Sequence, residues 1–461
     1  MSAFRPPPTG RHDISTALLT DRYELTMLDA ALSSGVAGRP SVFEVFAREL
    51  PAGRRYGVVA GLGRLLDLLG EFTFGEAELA HLEAGRVVSP RALAWLAGFS
   101  FSGTVDAYAE GECYFGASPV LTVEAPFGEA LLLETIVLSA LNFDTAVASA
   151  AARMVEAAGD RPLVEMGSRR VHEEAAIAAA RAAYLAGFAS TSNLEAGRRY
   201  GIPTAGTAAH AFTLAHRSEA EAFGTQLDVL GLDTTLLVDT YDVADAIRTG
   251  VAAARQRGAS GPGAIRLDSG ELGEGARQSR ALLDELGATS TRIVASSDLD
   301  EYALAELRGA PIDVFGVGTR VVTGSGAPTA GFVYKLVAVA DGPGGAPMRP
   351  VAKQSVHKET IGGRKLAFRL VDAEGIARRE VLALDGTTSP AEVARTLASQ
   401  AGTAWSARPL QVRVIDAGRR APGGGLDEAR ARARASLDEL PPAARSIDPG
   451  EPALRVTLAG A

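Results

Sequence analysis

Short apolar runs in the middle of the chain each end at a cluster of polar residues. In chain order, the runs and clusters are PLVEM with Gly167, Ser168, Arg169 and Arg170; YLAGF with Ser190, Thr191, Ser192 and Asn193; GIPTAG with Thr207 and His210; TTLLV with Asp239, Thr240, Tyr241 and Asp242; GAIRL with Asp268, Ser269 and Gly270; TRIVA with Ser296, Ser297 and Asp298; and PIDVFGVG with Thr319 and Arg320. β-rich apolar runs without polar alternation are typical of strands buried on both faces. Stretches rich in Ala, Leu, Glu and Arg separate most of them and predict helices. The alternation predicts a parallel α/β sheet or barrel, with its site at the carboxyl ends of the strands.

The pattern changes on both sides of this series of strands. Before it, Thr20 and Asp21 precede a helical segment, and SVFEVFARELP alternates as a half-buried strand does. After it, VYKLVAVA, KLAFRLV and LQVRVIDAG predict further strands, and LDEARARARASLDEL predicts a terminal amphipathic helix. The two flanks are therefore expected to form α+β structure around the central series.

Charge and composition exclude several classes of protein. The chain has 461 residues, with 46 basic and 55 acidic side chains and a formal net charge of −9, which argues against a general nucleic-acid or anionic-membrane surface. Cys113 is the single cysteine, so no intrachain disulfide or cysteine-based zinc site is expected. The apolar stretches do not approach the ~20 residues that a transmembrane helix needs, so no transmembrane helix is expected. The N-terminus lacks a signal-peptide core, so we expect a cytoplasmic protein.

Two adjacent arginines follow the first strand of the series. Two positive charges next to a buried strand are unfavourable unless Arg169 and Arg170 bind anions, and the planar guanidinium binds carboxylate or phosphate well. Structural ion pairs with Glu173, Glu174 or another carboxylate explain them equally well. The residues alone leave both interpretations open.

The segment RLDSG places an arginine inside a predicted strand, where Arg266 has to face a polar environment. Asp268, next to Ser269, could bind ribose hydroxyls or Mg²⁺, because hard cations prefer carboxylate oxygen. The alternative is that Asp268 caps the following helix. The neighbouring polar clusters favour the functional interpretation.

The last two strands end in small and hydroxyl-bearing residues. In eightfold-type barrels, the loops after the final strands often form a phosphate site. Ser296 and Ser297 end one strand, and Gly316, Gly318 and Thr319 end the next. Glycines allow close approach of the backbone to a phosphate. Together the two loops predict phosphate binding.

Two further residues have both a functional and a structural interpretation. His210 follows a predicted strand and could be a nucleophile or base, although a lone histidine is more often a packing or capping residue. Tyr23 is either a core aromatic or an exposed binding residue. The six histidines lack metal-ligand spacing, so a histidine metal site is not expected.

Taken in order, the motifs resemble the nicotinate phosphoribosyltransferase family. They extend from about residue 18 to about residue 370 and are TDRYELTM, FEVFARELP, EMGSRR, TSNLEAGRRYGIP, GTAAHAF, LLVDTYD, IRLDSGEL, ASSDLDEY and DVFGVGTRVVT. The last hundred residues match loosely. Mild departures from the family pattern are Ser297, Glu271 and the pair Gly362-Gly363.

The resemblance implies a reaction and a fold. Nicotinate and 5-phosphoribosyl 1-diphosphate would give nicotinate mononucleotide and pyrophosphate, with ATP as co-substrate through a phosphohistidine and with Mg²⁺, or alternatively Mn²⁺, as cofactor. The fold implied is an irregular α/β barrel of the phosphoribosyltransferase type joined to an α/β sandwich built from the N- and C-terminal segments. The active sites would be shared in a homodimer. The expected divisions are a loose tail at 1–15, sandwich at 16–132, barrel at 133–338 and sandwich again at 339–461.

The resemblance also implies roles for individual residues. His210 matches the phosphorylated histidine and Tyr23 the aromatic that stacks on the pyridine ring, reaching across the dimer. Arg170 and Arg266 match cationic groups near nicotinate and pyrophosphate, and Thr207 matches a contact on the nicotinate side. The expected catalytic residues are His210, Arg266 and Asp268. The expected substrate-binding residues are Tyr23, Arg169, Arg170, Ser192, Asn193, Thr207, Asp239 and Ser269. The expected 5′-phosphate-binding residues are Ser296, Ser297, Gly316, Gly318 and Thr319.

Other activities remain alternatives at this point. A nicotinamide or quinolinate phosphoribosyltransferase would use a related site, and quinolinate enzymes are shorter and resemble the chain less. A descendant that binds phosphoribosyl ligands without turnover is a second alternative. An unrelated aldolase-like barrel would need a lysine at a strand end, and the series offers none before Lys335.

Overall fold

The computed structural model describes residues 15–342, 344–353, 361–385, 395, 399 and 405–459. The predicted tail thus lies outside the described residues, apart from Ser15. The strands are β1 (Pro40–Ala47), β2 (Gly57–Val58), β3 (Thr104–Tyr108), β4 (Cys113–Tyr114), β5 (Leu121–Pro126), β6 (Leu163–Glu165), β7 (Ser190–Thr191), β8 (Thr235–Leu237), β9 (Ala264–Leu267), β10 (Arg292–Ser297), β11 (Val314–Val317), β12 (Phe332–Ala340), β13 (Met348–Pro350), β14 (Lys365–Val371), β15 (Ala377–Leu384), β16 (Ser406–Pro409), β17 (Gln411–Asp416), β18 (Arg419–Arg420) and β19 (Val456–Leu458). The α-helices are α1 (Arg22–Ser34), α2 (Leu62–Gly70), α3 (Glu76–Ala84), α4 (Pro90–Ala97), α5 (Phe127–Leu131), α6 (Glu134–Ala158), α7 (Glu173–Leu185), α8 (Leu194–Tyr200), α9 (His210–Leu214), α10 (Glu219–Leu230), α11 (Val243–Arg255), α12 (Leu272–Glu285), α13 (Glu301–Glu306), α14 (Thr319–Val322) and α15 (Leu426–Asp438).

The central strands form a six-stranded parallel sheet in the order β7-β6-β11-β10-β9-β8. The first and last of these strands in the chain, β6 and β11, pair with each other, with Leu163 opposite Phe315. Beyond β7, a single bridge joins Thr191 to Thr204. Within the described ranges, no strand pairing joins that segment to β8. The sheet therefore curves into an irregular α/β barrel, as predicted, with a gap in its wall and all carboxyl ends at one end.

Two of the predicted barrel strands are wrong. In YLAGF, Tyr184 and Leu185 end helix α7, and a turn through Gly187 leads to the short strand Ser190–Thr191. The Ala-rich sequence of α7 has high helix propensity and extends the helix into the apolar run, and Gly187 with φ 122° turns the chain. GIPTAG contributes the bridge at Thr204 and otherwise forms a loop.

Both flanks of the chain build the second part of the fold. A seven-stranded antiparallel sheet has the order β13-β12-β1-β5-β3-β17-β18, and a four-stranded sheet has the order β16-β14-β15-β19. This agrees with the predicted α/β sandwich made from N- and C-terminal segments. Strand β12 crosses the boundary predicted at 338, and the domain boundaries stay predictions.

Strand β1 differs from the half-buried strand that its alternation predicts. Seven of its eight residues are buried. Its Glu44 carboxylate is covered by β14, where the Lys365 ammonium lies 2.8 Å from Oε2. The charged position of the alternating pattern, Glu44, thus forms a buried ion pair instead of facing solvent.

Helix α6 is the long helix between the two parts of the fold. Its 25 residues make it long and apolar enough to cross a membrane by length and composition, so the expectation that no stretch reaches this length is wrong. The most apolar window of the helix is 67% buried within the protein, against α2, α7, α13 and β12 among others. Such burial is typical of a core helix. Its many Ala and Ser residues allow this close packing on several sides.

Candidate active site

The carboxyl ends of the barrel strands border a cavity of about 510 Å³. Its lining residues are Met166, Arg169, Arg170, Arg266, Asp268, Ser296, Ser297, Asp298, Gly316, Gly318 and Thr319. Except for Met166 and Asp298, the sequence had marked each of them as a site residue. The cavity combines three arginines with two aspartates, and it joins the arginine loop after β6 to both predicted phosphate loops.

Arg266 on β9 is fixed in this cavity by three hydrogen bonds. Its Nε donates to Ser296 Oγ at 2.7 Å, one terminal nitrogen donates to Thr207 Oγ1 at 3.0 Å, and the other donates to Asp268 Oδ1 at 2.7 Å. Ser296 Oγ in turn donates to the same Asp268 oxygen at 2.5 Å. The guanidinium plane is thus held between the loops that follow neighbouring strands, and charge-assisted bonds of this kind are strong.

Asp268 does not act as the helix cap that was its alternative interpretation. The residue preceding α12 is Glu271, and the Asp268 carboxylate instead bonds Arg266 and Ser296. The backbone N–H of Asp268 and the Ser269 hydroxyl donate to Asp239 Oδ2 at 2.9 and 2.7 Å. Asp239 therefore positions the loop that carries Asp268.

The exposed pair Arg169 and Arg170 lines the cavity without a carboxylate partner among the described residues. Glu174, one of the proposed partners, forms an ion pair with Arg199 at 3.0 Å. Among the residues that the structure describes, the ion pairs of the structural interpretation are therefore not formed by these two arginines. Arg169 and Arg170, without a carboxylate partner in the described part of the chain, line the same cavity as Arg266 and make it favourable for anions.

A glycine lets the arginine loop approach the last strand. A Cβ on Gly167 would lie 2.2 Å from Val322 Cγ1 and 3.0 Å from the Gly318 carbonyl oxygen. The loop is also held by Glu165, whose Oε1 accepts from the Gly167 N–H and whose Oε2 accepts from Thr191 Oγ1 at 2.5 Å. Burial raises the pKa of the Glu165 carboxyl.

His210 starts α9 at the gap in the barrel wall and lies beside the cavity residues without lining the cavity. Its Nδ1 is 3.1 Å from Thr240 Oγ1, and its Nε2 is 3.8 Å from Asp239 Oδ1. The His210 side chain is 40% exposed, whereas that of Asp239 is 4% exposed. Asp239 Oδ1 is buried and has no hydrogen-bond partner. The arrangement leaves a buried acceptor facing an accessible imidazole.

The two predicted phosphate loops differ in which of their hydroxyl groups are already hydrogen-bonded. Ser296 is buried and committed to Arg266 and Asp268, whereas Ser297 is exposed. Gly318 and Thr319 form the end of β11 and the start of α14. Within the described residues, the hydroxyls of Ser297 and Thr319 form no hydrogen bond, so each loop leaves one hydroxyl for a ligand.

Ser192 and Asn193 lie behind the arginine loop. The Ser192 N–H donates to the Glu165 carbonyl oxygen at 2.8 Å. Asn193 caps α8 by accepting from the Ala196 N–H at 2.9 Å, and its amide donates to Ser168 Oγ at 3.1 Å. Both residues support the loop, and their predicted role as direct substrate contacts stays a prediction.

Tyr23 is not brought together with these residues inside one chain. It lies on α1 and is 43% exposed, and burial followed by the Glu134 carboxylate raises the pKa of its hydroxyl. In the part of the chain that the structure describes, no hydrogen bond, ion pair or ring contact joins it to the cavity residues. The predicted role of Tyr23 at the site stays a prediction.

Sequence reasoning missed four residues at this end of the barrel: Glu165, Met166, Thr240 and Asp298. Thr240 and Asp298 stood within the recognised clusters, so their position was the available signal. Glu165 and Met166 stood inside the run PLVEM, where they were assigned to the buried strand. A carboxylate inside an otherwise apolar run was the signal that could have identified Glu165.

Comparisons with known proteins agree with this geometry. Residues 18–142 match the family model of the nicotinate phosphoribosyltransferase N-terminal domain. Nicotinate phosphoribosyltransferase pncB1 of Mycobacterium tuberculosis is 52% identical over 464 residues, covering 97% of this chain and 98% of the relative. The Bacillus subtilis nicotinate phosphoribosyltransferase is 39% identical over 373 residues, covering 79% of this chain and 75% of the relative.

A solved structure extends the agreement to the fold. The crystal structure of human nicotinic acid phosphoribosyltransferase superimposes with a TM-score of 0.76 at 27% identity, covering 96% of this chain and 98% of the human chain. The barrel, the sandwich and the whole-length sequence similarity lead to one conclusion. The chain belongs to the nicotinate phosphoribosyltransferase family.

Proposed function

We propose that this chain forms nicotinate mononucleotide and pyrophosphate from nicotinate and 5-phosphoribosyl 1-diphosphate, in NAD salvage. The observation that carries the proposal is the cationic cavity, in which Arg169 and Arg170 are unpaired among the described residues and Arg266 is oriented by three hydrogen bonds. One substrate and the leaving group are rich in phosphate, and nicotinate is a carboxylate. Arginine binds both kinds of anion through its planar fork.

In the proposed reaction, the bond between ribose C1 and the pyrophosphate oxygen breaks, and the electron pair leaves with pyrophosphate. The nicotinate ring nitrogen forms the new bond to C1. Arg266 would stabilise the charge that develops on the leaving group. Arg170 would hold the nicotinate carboxylate, and Ser297 and Thr319 would hold the 5′-phosphate. The reaction needs little proton transfer, so positioning of the two substrates is the main contribution.

We further propose that ATP is coupled through phosphorylation of His210. With the ring proton on Nδ1, that nitrogen donates to Thr240, and Nε2 is free to attack the γ-phosphoryl group. The bond between phosphorus and the ADP oxygen breaks as the bond to Nε2 forms. The exposure of the His210 side chain supports access of ATP to it.

The buried Asp239 carboxylate gives this phosphorylation a physical consequence. A phosphoryl group adds about −1.5 to −2 charges near neutral pH, and it would enter close to Asp239 Oδ1, which lies 3.8 Å from Nε2. The resulting repulsion favours movement of the ring and its loop unless a cation intervenes. Asp239 also accepts hydrogen bonds from the loop that carries Asp268. Such a movement would therefore also displace groups at the proposed pyrophosphate site.

The donor set fits Mg²⁺ carried with substrate phosphates. Magnesium in nucleotide sites is commonly held by one or two carboxylates together with phosphate oxygens. Asp239, with its unpartnered buried oxygen, and Asp268 are the carboxylates that would hold it. No group of three or more His, Cys, Asp or Glu among the described residues could hold a metal by itself. Mg²⁺, or Mn²⁺ in its place, would neutralise phosphate charge.

A homodimer with shared sites is the assembly we propose. Seven of the large exposed apolar side chains fall into two groups by their place in the chain. The first group lies in and before α1 and contains Leu18, Leu19, Tyr23 and Met27. The second group follows the barrel strands and contains Leu194, Leu214 and Tyr241. Pairing the first group of one subunit with the second of its partner would cover both and bring Tyr23 to the site.

Complementation tests the shared site. Tyr23→Ala and Arg266→Ala should each be nearly inactive alone. Random mixing of the two variants should restore about a quarter of wild-type activity, because half of the dimers then contain one intact site. Absence of any recovery on mixing, with dimers confirmed by light scattering, would show that each chain supplies its own site.

Substrate comparison tests the reaction. Purified protein is incubated with 5-phosphoribosyl 1-diphosphate and, separately, nicotinate, nicotinamide or quinolinate, with and without ATP, and pyrophosphate and nucleotide products are measured. Nicotinate should be used with strong preference, and ATP should lower its KM. Release of CO₂ from quinolinate would assign the alternative activity. Ligand binding without pyrophosphate release would indicate a non-catalytic binding protein.

A further inference from the structure

One buried carboxylate connects both phosphate loops to the N-terminal part of the chain. Glu301 Oε1 accepts from Arg54 at 2.9 Å and from Arg153 Nε at 3.1 Å, and its Oε2 accepts from Ser325 Oγ at 2.5 Å. A second nitrogen of Arg54 donates to the carbonyl oxygens of Gly324 and Ser325 at 3.1 and 2.9 Å. The network lies outside the residues that line the cavity.

The positions of these residues in the chain show which loops the network joins. Glu301 begins α13, directly after the loop that leaves β10 at Ser297. Ser325 follows α14, which begins at Thr319 after β11. A single carboxylate thus joins the segments that continue from the two neighbouring phosphate loops. Arg54 comes from the segment between β1 and β2, and Arg153 comes from α6.

Burial makes this connection stronger than the other link between the same loops. Glu301, Arg153 and Arg54 are only 1%, 2% and 8% exposed. On the solvent side, Arg320 and Asp298 form an ion pair at 3.3 Å in which both side chains are about half exposed, and such pairs contribute little. Removing one partner of a buried pair leaves an uncompensated charge, which is strongly unfavourable. The buried network is therefore the stronger of these two side-chain links between the segments that follow the paired strands β10 and β11.

The turn at Ser325 shows what the network holds in place. Gly324, Ser325 and Gly326 all have positive φ, at 71°, 49° and 86°. Serine rarely adopts this conformation, which costs free energy unless surrounding contacts maintain it. The Ser325 hydroxyl bond to Glu301 and the two Arg54 bonds supply those contacts.

We propose that Arg54 and Glu301 are positioning residues that set the distance between the loops after β10 and β11 and thereby the affinity for a ribose 5-phosphate group. The inference rests on the proposed phosphate-binding role of these loops. The N-terminal part of the chain then determines phosphate affinity without touching the ligand.

Arg54→Lys is the main test, because lysine keeps the buried positive charge but its compact ammonium cannot span Glu301 and both carbonyl oxygens. Ser325→Ala is the second test, since it removes one bond to Glu301 and leaves every buried charge paired. Arg64→Lys is the matched control: Arg64 also joins the N-terminal part to α6, through two bonds to the buried Asp144 at 3.1 and 2.8 Å. Glu301→Gln is avoided as a first test, since it leaves two buried guanidiniums without their carboxylate.

Ribose 5-phosphate binding is measured by calorimetry well below each variant's Tm, and KM values are measured for both substrates. We expect Arg54→Lys to weaken ribose 5-phosphate binding about tenfold and to raise the KM for 5-phosphoribosyl 1-diphosphate similarly, because small displacements of positioning groups have such effects. Ser325→Ala should show a smaller change in the same direction. The nicotinate KM should stay within about twofold in both variants, as should all constants of Arg64→Lys.

Unchanged ribose 5-phosphate affinity in both test variants would overturn the inference, as would equal losses in Arg64→Lys. Failure of the wild-type protein to bind ribose 5-phosphate would overturn it as well. If the wild-type protein binds ribose 5-phosphate in an Arg54-dependent way but makes no nicotinate mononucleotide, the positioning role stands and the proposed reaction fails.

Discussion

Replacing Arg266 by lysine tests whether the orientation of this guanidinium, beyond its charge, serves the reaction. The three hydrogen bonds of Arg266 end on Ser296, Thr207 and Asp268. A lysine ammonium keeps the charge and reaches at most one of these groups at a time. The cation would remain in the cavity, but its direction toward the pyrophosphate would no longer be fixed.

The size of the effect follows from the displacement of the guanidinium. The three hydrogen bonds of Arg266 exist in the free enzyme, so the energy of the two that lysine cannot form, about 1.5–3 kcal/mol each, is lost mainly from the stability of the fold. The Arg266 side chain is 16% exposed beside an open cavity, so water recovers part of this. Misplacement of a positioning group by about 1 Å lowers the rate about 10²-fold, and we expect a fall of this size in kcat/KM for 5-phosphoribosyl 1-diphosphate, which corresponds to about 3 kcal/mol in the transition state.

Arg280→Lys is the control. Arg280 also donates to three acceptors, namely Asp284 at 3.0 Å and the carbonyl oxygens of Thr291 and Ala288 at 2.7 and 3.1 Å, but it precedes β10 at the other end of the barrel. Steady-state kinetics and thermal unfolding are measured on both variants. If Arg266→Lys and Arg280→Lys lose similar stability and neither changes kcat/KM by more than about twofold, orientation of Arg266 has no role in catalysis.

Three further changes probe other parts of the site. His210→Asn should retain basal nucleotide formation but lose both ATP stimulation and the incorporation of labelled phosphate into protein, because the phosphoryl acceptor is gone. Gly167→Ala should lower the free energy of unfolding by about 1–3 kcal/mol, since its Cβ would overlap Val322, and urea unfolding measures this. Because burial raises the folded-state pKa of Glu165, that carboxyl stabilises the fold below its unfolded pKa, and this contribution is lost as pH rises through the folded value. Glu165→Gln cannot titrate, so its stability relative to the wild type should increase with pH across that window.

Each of these predictions has a matched comparison. His216→Asn, two residues after the end of α9, should keep ATP stimulation, and full stimulation in His210→Asn would reject the phosphohistidine. Gly206→Ala should be nearly neutral, since a Cβ there meets nothing within 4 Å, and equal losses at both glycines would refute the packing argument. A pH-independent stability difference between Glu165→Gln and the wild type would show that Glu165 does not titrate over the range measured.

Most of the barrel strands could be predicted because their local sequence alone indicates buried strands. TTLLV, GAIRL and TRIVA are β-rich and bounded by turns, and each lies where expected. YLAGF failed because the helix propensity of the residues before it determines its structure. The alternation in β1 failed because the buried partner of Glu44, Lys365, is supplied by a strand more than three hundred positions away.

The site could likewise be predicted only where local sequence determines it. The residues at strand ends could be identified because a parallel barrel brings all its carboxyl ends together. The contact between Arg54 and Glu301 spans 247 positions, and no local pattern in either segment indicates it. That Arg169 and Arg170 have no carboxylate partner among the described residues could not be predicted, because the sequence offered acidic neighbours within one helical turn.

The order of strands in the seven-stranded sheet has a consequence for synthesis of the chain on the ribosome. Strand β1 meets β12 with Ser41 opposite Val339, and β3 meets β17 with Tyr108 opposite Gln411. The barrel strands, from Leu163 to Val317, are complete before either partner has been made. The strands that are translated first therefore wait with open edges, which are prone to pair with other chains. The central barrel can therefore fold before the N-terminal strands have all their partners. The nascent chain depends on its C-terminal strands to cover the edges of its N-terminal ones.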